Sequence, residues 1–176
     1  MKTFIKLLLC VIPLVGITAC SSGSSKNFKT VPELDLERFS GQWYEVARFD
    51  HWFERDLVGC KANYSVHGDG TIEVENTGYK KNFQGHFKKS TGKARRRNAE
   101  EPGKLEVAFF LGFYSDYNVL ELATDYRYAL IAGKSLDYLW ILSRTPRLTP
   151  EDQDYLLHRA RTHGFDTNKI IWVPQK

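Results

Sequence analysis

Disulfide chemistry is almost absent from this sequence. Its 176 residues hold three cysteines. Cys10 lies in the N-terminal apolar run and Cys20 ends it. Cys60 stands alone in the body of the chain, so no intramolecular bridge can staple a mature domain, and stability has to come from secondary structure and a core. A single methionine argues against a flexible Met-rich binding surface. Strong charge is also lacking: the net +4 falls to +2 without Lys2 and Lys6, too little for a nucleic-acid partner. Among the histidines His51, His67, His86, His158 and His163, only His158 and His163 are close together, and their spacing suits neither a metal nor one helix face. There is no phosphate loop and no recognisable Ser-His-Asp pattern. No metal and no cofactor is expected. An apolar run of the ~20 residues needed by a spanning helix is missing as well; Leu7 to Gly16 is shorter.

That short run has another use. Lys2 and Lys6 precede it, and Ile17-Thr18-Ala19-Cys20 follows. Positive start, apolar middle and small residues before a cysteine, in that order, resemble the signal peptide of bacterial lipoproteins. The resemblance implies removal of residues 1–19, lipidation of Cys20 as the membrane anchor, and delivery to the outer membrane of a Gram-negative cell, since Ser21 rather than Asp follows. The periplasmic face is expected. Residues 20–32 begin with Ser- and Gly-rich sequence and read as a flexible tether. Residues 33–176 form one domain.

Within that domain, short alternating runs recur between turn residues. The first is Trp43 to Phe49, the second Cys60 to Val66, and His67-Gly68-Asp69-Gly70 turns the chain into the third, Ile72 to Asn76. Runs at Gly85 to Ser90, Lys93 to Arg97, Lys104 to Phe109, Tyr117 to Ala123, Tyr126 to Ala132 and Tyr138 to Arg144 follow. Strands so evenly spaced predict an antiparallel up-and-down barrel or a sandwich. The pattern then changes. Thr149 is a good N-cap, Pro150 suits the first helical position, and Leu156, Leu157 and Ala160 form a stripe that Gly164 can end. A short strand, Ile170 to Val173, closes the chain.

Three local motifs coincide on this frame. Gly41-Gln42-Trp43 opens the first strand after a helical turn, Thr124-Asp125-Tyr126 sits between two later strands, and Arg144 ends the last barrel strand before the helix. Together they resemble the three signature regions of the lipocalins. Trp43 to Phe49, Phe53-Glu54-Arg55, Ala62 to Ser65, Tyr138 to Pro146, Gly164-Phe165-Asp166 and Ile171-Trp172-Val173 extend the resemblance to the bacterial outer-membrane branch and its apolipoprotein D-like relatives, over roughly Leu34 to Pro174. The cysteine pair of many animal members is missing. The resemblance implies an eight-stranded all-β antiparallel barrel with one helix packed outside. It also implies that Trp43 plugs the closed end with Arg144 across its indole, and that the ligand is a fatty acid, phospholipid or lysophospholipid, stored or transported at the envelope.

Parity then assigns an inward face. If Trp43 points in, Glu45, Ala47 and Phe49 follow; if Arg144 does, Leu142 and Trp140 follow. Cys60, Ala62 and Tyr64, then Ile72, Val74 and Asn76, then Leu105, Val107 and Phe109 complete the expected ligand wall. Its small members leave room. Tyr114 and Tyr117 are expected near a headgroup at the mouth, and 50–57 reads as an amphipathic lid or a membrane- or partner-facing patch. Arg95-Arg96-Arg97 is either a solvated edge or a contact for anionic lipid. Three alternatives stay open: a thiol-dependent isomerase using Cys60, a structural envelope protein with an empty barrel, and a homodimer across exposed aromatics.

Overall fold

A computed structural model describes residues 25–109 and 112–176; the expected leader and Cys20 lie outside the described residues. Asp35 Oδ1 accepts from the N–H groups of Glu37 and Arg38 and caps a single helical turn, α1 (Leu36–Phe39). Gly41, at φ +85°, turns the chain into β1 (Gly41–Arg48). Seven antiparallel strands follow: β2 (Leu57–Val66), β3 (Ile72–Lys80), β4 (Phe87–Arg96), β5 (Lys104–Ala108), β6 (Ser115–Leu122), β7 (Tyr128–Ala132) and β8 (Leu139–Ser143). Each pairs with the next, and β1 pairs with both β2 and β8, so the sheet closes on itself and its edges disappear. After the barrel come α2 (Pro150–Thr162) and the short β9 (Ile171–Trp172).

The two runs expected at 85–90 and 93–97 are one strand. Its register with β3 is unbroken from Ile72↔Ala94 to Tyr79↔Phe87. Thr91-Gly92 reads as a turn in sequence, but the glycine serves a close approach instead: a Cβ at Gly92 would stand 2.6 Å from both Ala108 O and the Phe109 ring. Tyr126, expected to start a strand, lies in the preceding turn at φ +62°.

Two cores flank the barrel wall. One lies inside and holds Trp43, Ala62, Tyr64, Ile72, Val74, Ala94, Leu105, Val119, Ala129, Ile131 and Leu142. The other lies between the wall and α2, where Leu120, Leu130, Leu139 and Ile141 meet Leu156, Ala160 and Phe165. Strand alternation sorts residues between the two, and two bulges invert it. On β1 the register with β8 slips between Glu45 and Ala47, and on β6 it slips against β7 between Val119 and Glu121. Ala47 and Phe49, expected inside, therefore belong to the outer core. Arg48 turns inward in their place and is buried.

Around α2 the local chemistry is orderly. Thr149 Oγ1 accepts from Asp152 N, and Arg127 grips Asp152 through two hydrogen bonds of 2.9 and 2.7 Å. Arg159 and His163 both reach Glu121 on β6. Beyond α2, the C-terminal tail fills the seam where β1 and β2 part company. Val173 N donates to Val46 O, Gly59 N to Pro174 O, and Gln175 Nε2 to both Glu45 O and Cys60 O.

Candidate ligand-binding site

At the closed end, the crossing segment and the first turn make a floor. Trp43 is fully buried, its indole N–H donating to Phe39 O at 2.8 Å. The Arg144 guanidinium lies 3.8 Å from the Trp43 ring centroid and donates to the backbone oxygens of Gln42, Arg38 and Phe39. Gly41 is pressed beneath it, its Cβ position 3.6 Å from Arg144 Nη1. The Thr124-Asp125-Tyr126 turn ties the same region together: Thr124 O accepts from Arg38, Asp125 pairs with Arg127, and the Tyr126 hydroxyl accepts from Asp35 N.

Above the floor, Tyr64 and Tyr117 come from opposite walls and join hydroxyls at 2.7 Å. This crossbar rests on Phe39, whose ring centroid is 5.2 Å from that of Tyr64. Burial pushes both phenols up, well away from ionisation. Tyr117, expected at the mouth beside a headgroup, thus lies deep in the barrel, just above the floor, because β6 pairs it with Leu105 near the closed end of β5.

From the crossbar to the mouth the wall is mostly apolar or small, with Asn76 as a polar member. Residues paired across adjacent strands share a face, so Ala62, Asn76 and Ser90 line one level, and Tyr64, Val74 and Gly92 another. Cys60 Sγ lies 3.2 Å from the Cβ position of Gly78. Phe109 lies over Gly92 on the inner face. Leu105, Val107, Ile131, Leu142 and Trp140 complete the lining. Asn76 Oδ1 is buried with no partner among the described residues. Tyr114 is not in the lumen. Its ring lies 3.9 Å from the Arg95 guanidinium, and Arg95 pairs with Glu106 on the outer face.

Polar groups gather under the lid. Arg48 Nη1 donates to Glu45 Oε1 at 2.7 Å and lies 3.7 Å from Cys60 Sγ; its Nη2 donates to the backbone oxygens of Glu54 and Leu57. The Trp140 indole N–H donates to Glu54 Oε2 at 2.9 Å. His51 stacks between Phe53 and Tyr138, at 5.3 and 5.0 Å between centroids. So the β1–β2 turn folds down over the mouth and is latched to β8. Burial first, then the Glu54 charge, raise Glu45 to about 8, against the opposing pull of Arg48. Burial likewise raises Glu54. Burial and then Arg48 lower His51 to about 4, which leaves it neutral at pH 7. Arg48 Nε and His51 Nε2 are buried without partners among the described residues.

Sequence parity missed Arg48 because the bulge that turns it inward leaves no mark in the alternation. It also left the run from Tyr117 to Leu122 unoriented: apolar residues face both ways there, and the β6 bulge carries Leu122 back to the inner face after Leu120 has faced out. The arginine run is held by the fold. Arg95 pairs with Glu106, Arg96 donates to Leu34 O and Pro102 O, and Arg97 pairs with Asp116. Cys60 is a poor candidate nucleophile, since burial and then the Glu45 charge push its thiol up and away from the thiolate.

Known proteins share this architecture. The family model described as "Lipocalin-like domain" matches residues 34–175. The outer membrane lipoprotein Blc of Escherichia coli (strain K12) is 44% identical over 160 residues, 90% of each chain. Mouse apolipoprotein D is 32% identical over 186 residues, covering 97% of this chain and 96% of its own. Among solved structures, insecticyanin from the tobacco hornworm Manduca sexta superposes with a TM-score of 0.72 at 23% identity, over 88% of this chain and 87% of that one.

Proposed function

The chain belongs to the lipocalin family, and from that premise we propose that it is an outer-membrane lipoprotein, anchored through Cys20, whose lumen holds the acyl chain of a fatty acid, phospholipid or lysophospholipid for storage or transport in the envelope. The 44% identity to a protein named as an outer membrane lipoprotein supports the location, and Ser21 after the cysteine agrees with it.

The observation that carries the ligand class is the wall itself. Between the Tyr64–Tyr117 crossbar and the lid, the lining is mostly apolar or small apart from Asn76, and the charged side chains gather at the lid end. An acyl chain fits that division, with methylenes in the barrel and the polar end beneath the lid. Burying about 14 methylenes gains roughly 11 kcal/mol gross, less several kcal/mol for immobilising ligand and lid, which leaves room for micromolar binding. The high thiol pKa of Cys60 supports binding rather than turnover.

Intrinsic fluorescence tests this. Trp140 borders the lumen and bonds the lid. Titration with a fatty acid or lysophospholipid is expected to change the emission, and Trp140→Phe to remove most of that change. A change that survives the substitution moves the site elsewhere. Lipid extracted from freshly purified protein and identified by mass spectrometry tests occupancy directly, and a barrel free of lipid counts against the reading.

A further inference from the structure

The two ends of the barrel differ in kind. The closed-end turns present His67, Asp69, Asn98, Glu100 and Thr124. The open-end turns present Trp52 at 81% exposure, Phe113 at 75%, Phe53 at 47% and Leu136 at 36%, with Phe87 at the top of β4 at 48%. Soluble domains seldom leave so many large apolar side chains on one face. Lys81, Lys88 and Lys134 stand at the same end, without an acidic partner within 4 Å among the described residues. Asp50 and Asp56 at this end are paired with Arg55 and Lys80, so exposed aromatics beside three unpaired lysines suit the interfacial region of an anionic bilayer, where rings sit at headgroup depth and ammonium groups meet phosphates.

The path of the N-terminal segment adds an independent constraint. Lys26 N donates to Lys134 O in the β7–β8 turn, and Lys26 Nζ to His163 O at the end of α2, both at the open end. From there the chain descends the outer wall: Phe28 stacks on Phe165, Val31 N donates to Val119 O, and Leu34 O reaches Arg96 at the closed end. The segment toward Cys20 therefore leaves the fold beside the mouth. From Cys20 to Lys26 an extended chain spans at most ~20 Å. A ten-residue strand such as β2 is itself ~33 Å long. The anchor can reach a membrane lying across the mouth, and is too short to pass along the barrel to one beyond the closed end.

We propose that the open end of the barrel docks on an anionic lipid bilayer, with Trp52, Phe53 and Phe113 inserted among the headgroups, so that the ligand passes between bilayer and lumen without crossing bulk water. The orientation rests on the reading of Cys20 as the anchor; the apolar crown stands without it.

Vesicles of phosphatidylethanolamine with about a third phosphatidylglycerol, carrying bromine on their acyl chains, test the docking. In protein purified from membranes with its anchor, the part of the emission lost on Trp52→Phe is expected to be quenched by the bromine. A soluble form starting at Ser21 keeps every described residue. It is expected to bind the same vesicles, and to bind about tenfold more weakly or worse when Trp52→Ser and Phe113→Ser are combined, with its thermal unfolding unchanged. Anchored protein whose Trp52 is not quenched keeps the anchor but overturns the docking. If the mass of Cys20 shows no acyl group while the soluble form still binds vesicles through Trp52 and Phe113, the anchor falls and the docking stands. If the soluble form ignores vesicles and instead dimerises through the same two residues, the crown belongs to a second copy and the proposal is overturned.

Discussion

Glu45 shows what burial does to one side chain. It sits on the inner face of β1 against Arg48 and is raised to about 8 from an ordinary value near 4.5. An acid whose folded pKa exceeds its unfolded one contributes stability that is complete below the unfolded value and lost as pH rises through the folded value. Glu45 therefore favours the fold at low pH and stops doing so near pH 8. His51 works in the opposite sense. Its folded pKa of about 4 lies below the ordinary 6.5, so its contribution is complete above 6.5 and lost as pH falls toward 4. The window from about 6.5 to 8 isolates the carboxylates. Urea midpoints are expected to rise as pH falls through that window, and Glu45→Gln is expected to flatten the rise. A wild-type midpoint that is level between pH 6.5 and 8 would show that Glu45 ionises normally. Trp43 and Arg144 behave differently, because their contact is a stack and a set of carbonyl bonds rather than a titration.

At the scale of elements, small irregularities decide which residues face the lumen. The β1 bulge sends Ala47 and Phe49 to the helix side and brings Arg48 inside. No residue type announces it, since every position from Glu45 to Phe49 is buried on one side or the other. Gly92 is the opposite case: its residue type is visible in the sequence, but its reason is visible only in the sheet. The inner face of β4 at this point is occupied by the Phe109 ring. Gly92→Ala is expected to destabilise by about 1–3 kcal/mol, because the Cβ would meet backbone oxygen as well as the ring. Chemical denaturation measures this. Loss of less than a few tenths of a kcal/mol would mean that Phe109 swings away freely.

For the whole molecule, the functional question is how a closed barrel exchanges its ligand. The lid is tied to the neighbouring strand β8 by the Trp140–Glu54 bond and to β1 by Arg48, which bonds two lid carbonyls. A hydrogen bond to a charged group contributes about 1.5–3 kcal/mol. Glu54→Ala is accordingly expected to speed release of a fluorescent fatty acid by about tenfold or more, as read by stopped-flow displacement. An unchanged release rate would mean that the ligand leaves by another route. Docking of the mouth on a bilayer would place this lid at the lipid surface, where its aromatic residues have a second environment available.

Much of this was legible beforehand, for reasons that can be named. Alternation with period two marks strands, Thr149-Pro150 marks a helix start, and the trio around Trp43, Tyr126 and Arg144 marks one way of closing a barrel. These are local or pairwise signals, and the chain carries them in its letters. The positions of most strands and of the helix were therefore available from sequence. The lining was available only in part. Ala47 and Phe49, assigned to the wall by parity, belong to the outer core; Tyr114, expected at the mouth, lies against Arg95 on the outer face, and Tyr117 lies deeper in the barrel than expected, at the crossbar. A bulge shifts parity by one residue without changing composition, and a crossbar between opposite walls depends on the curvature of the sheet. The gathering of Glu45, Arg48, His51 and Glu54 at the lid, and the packing of Lys26 to Val31 along the outer wall from the β7–β8 turn, where a flexible tether was expected, were likewise decided by the tertiary structure. Both depend on which residues meet across the closed barrel, and no periodicity along the chain records that.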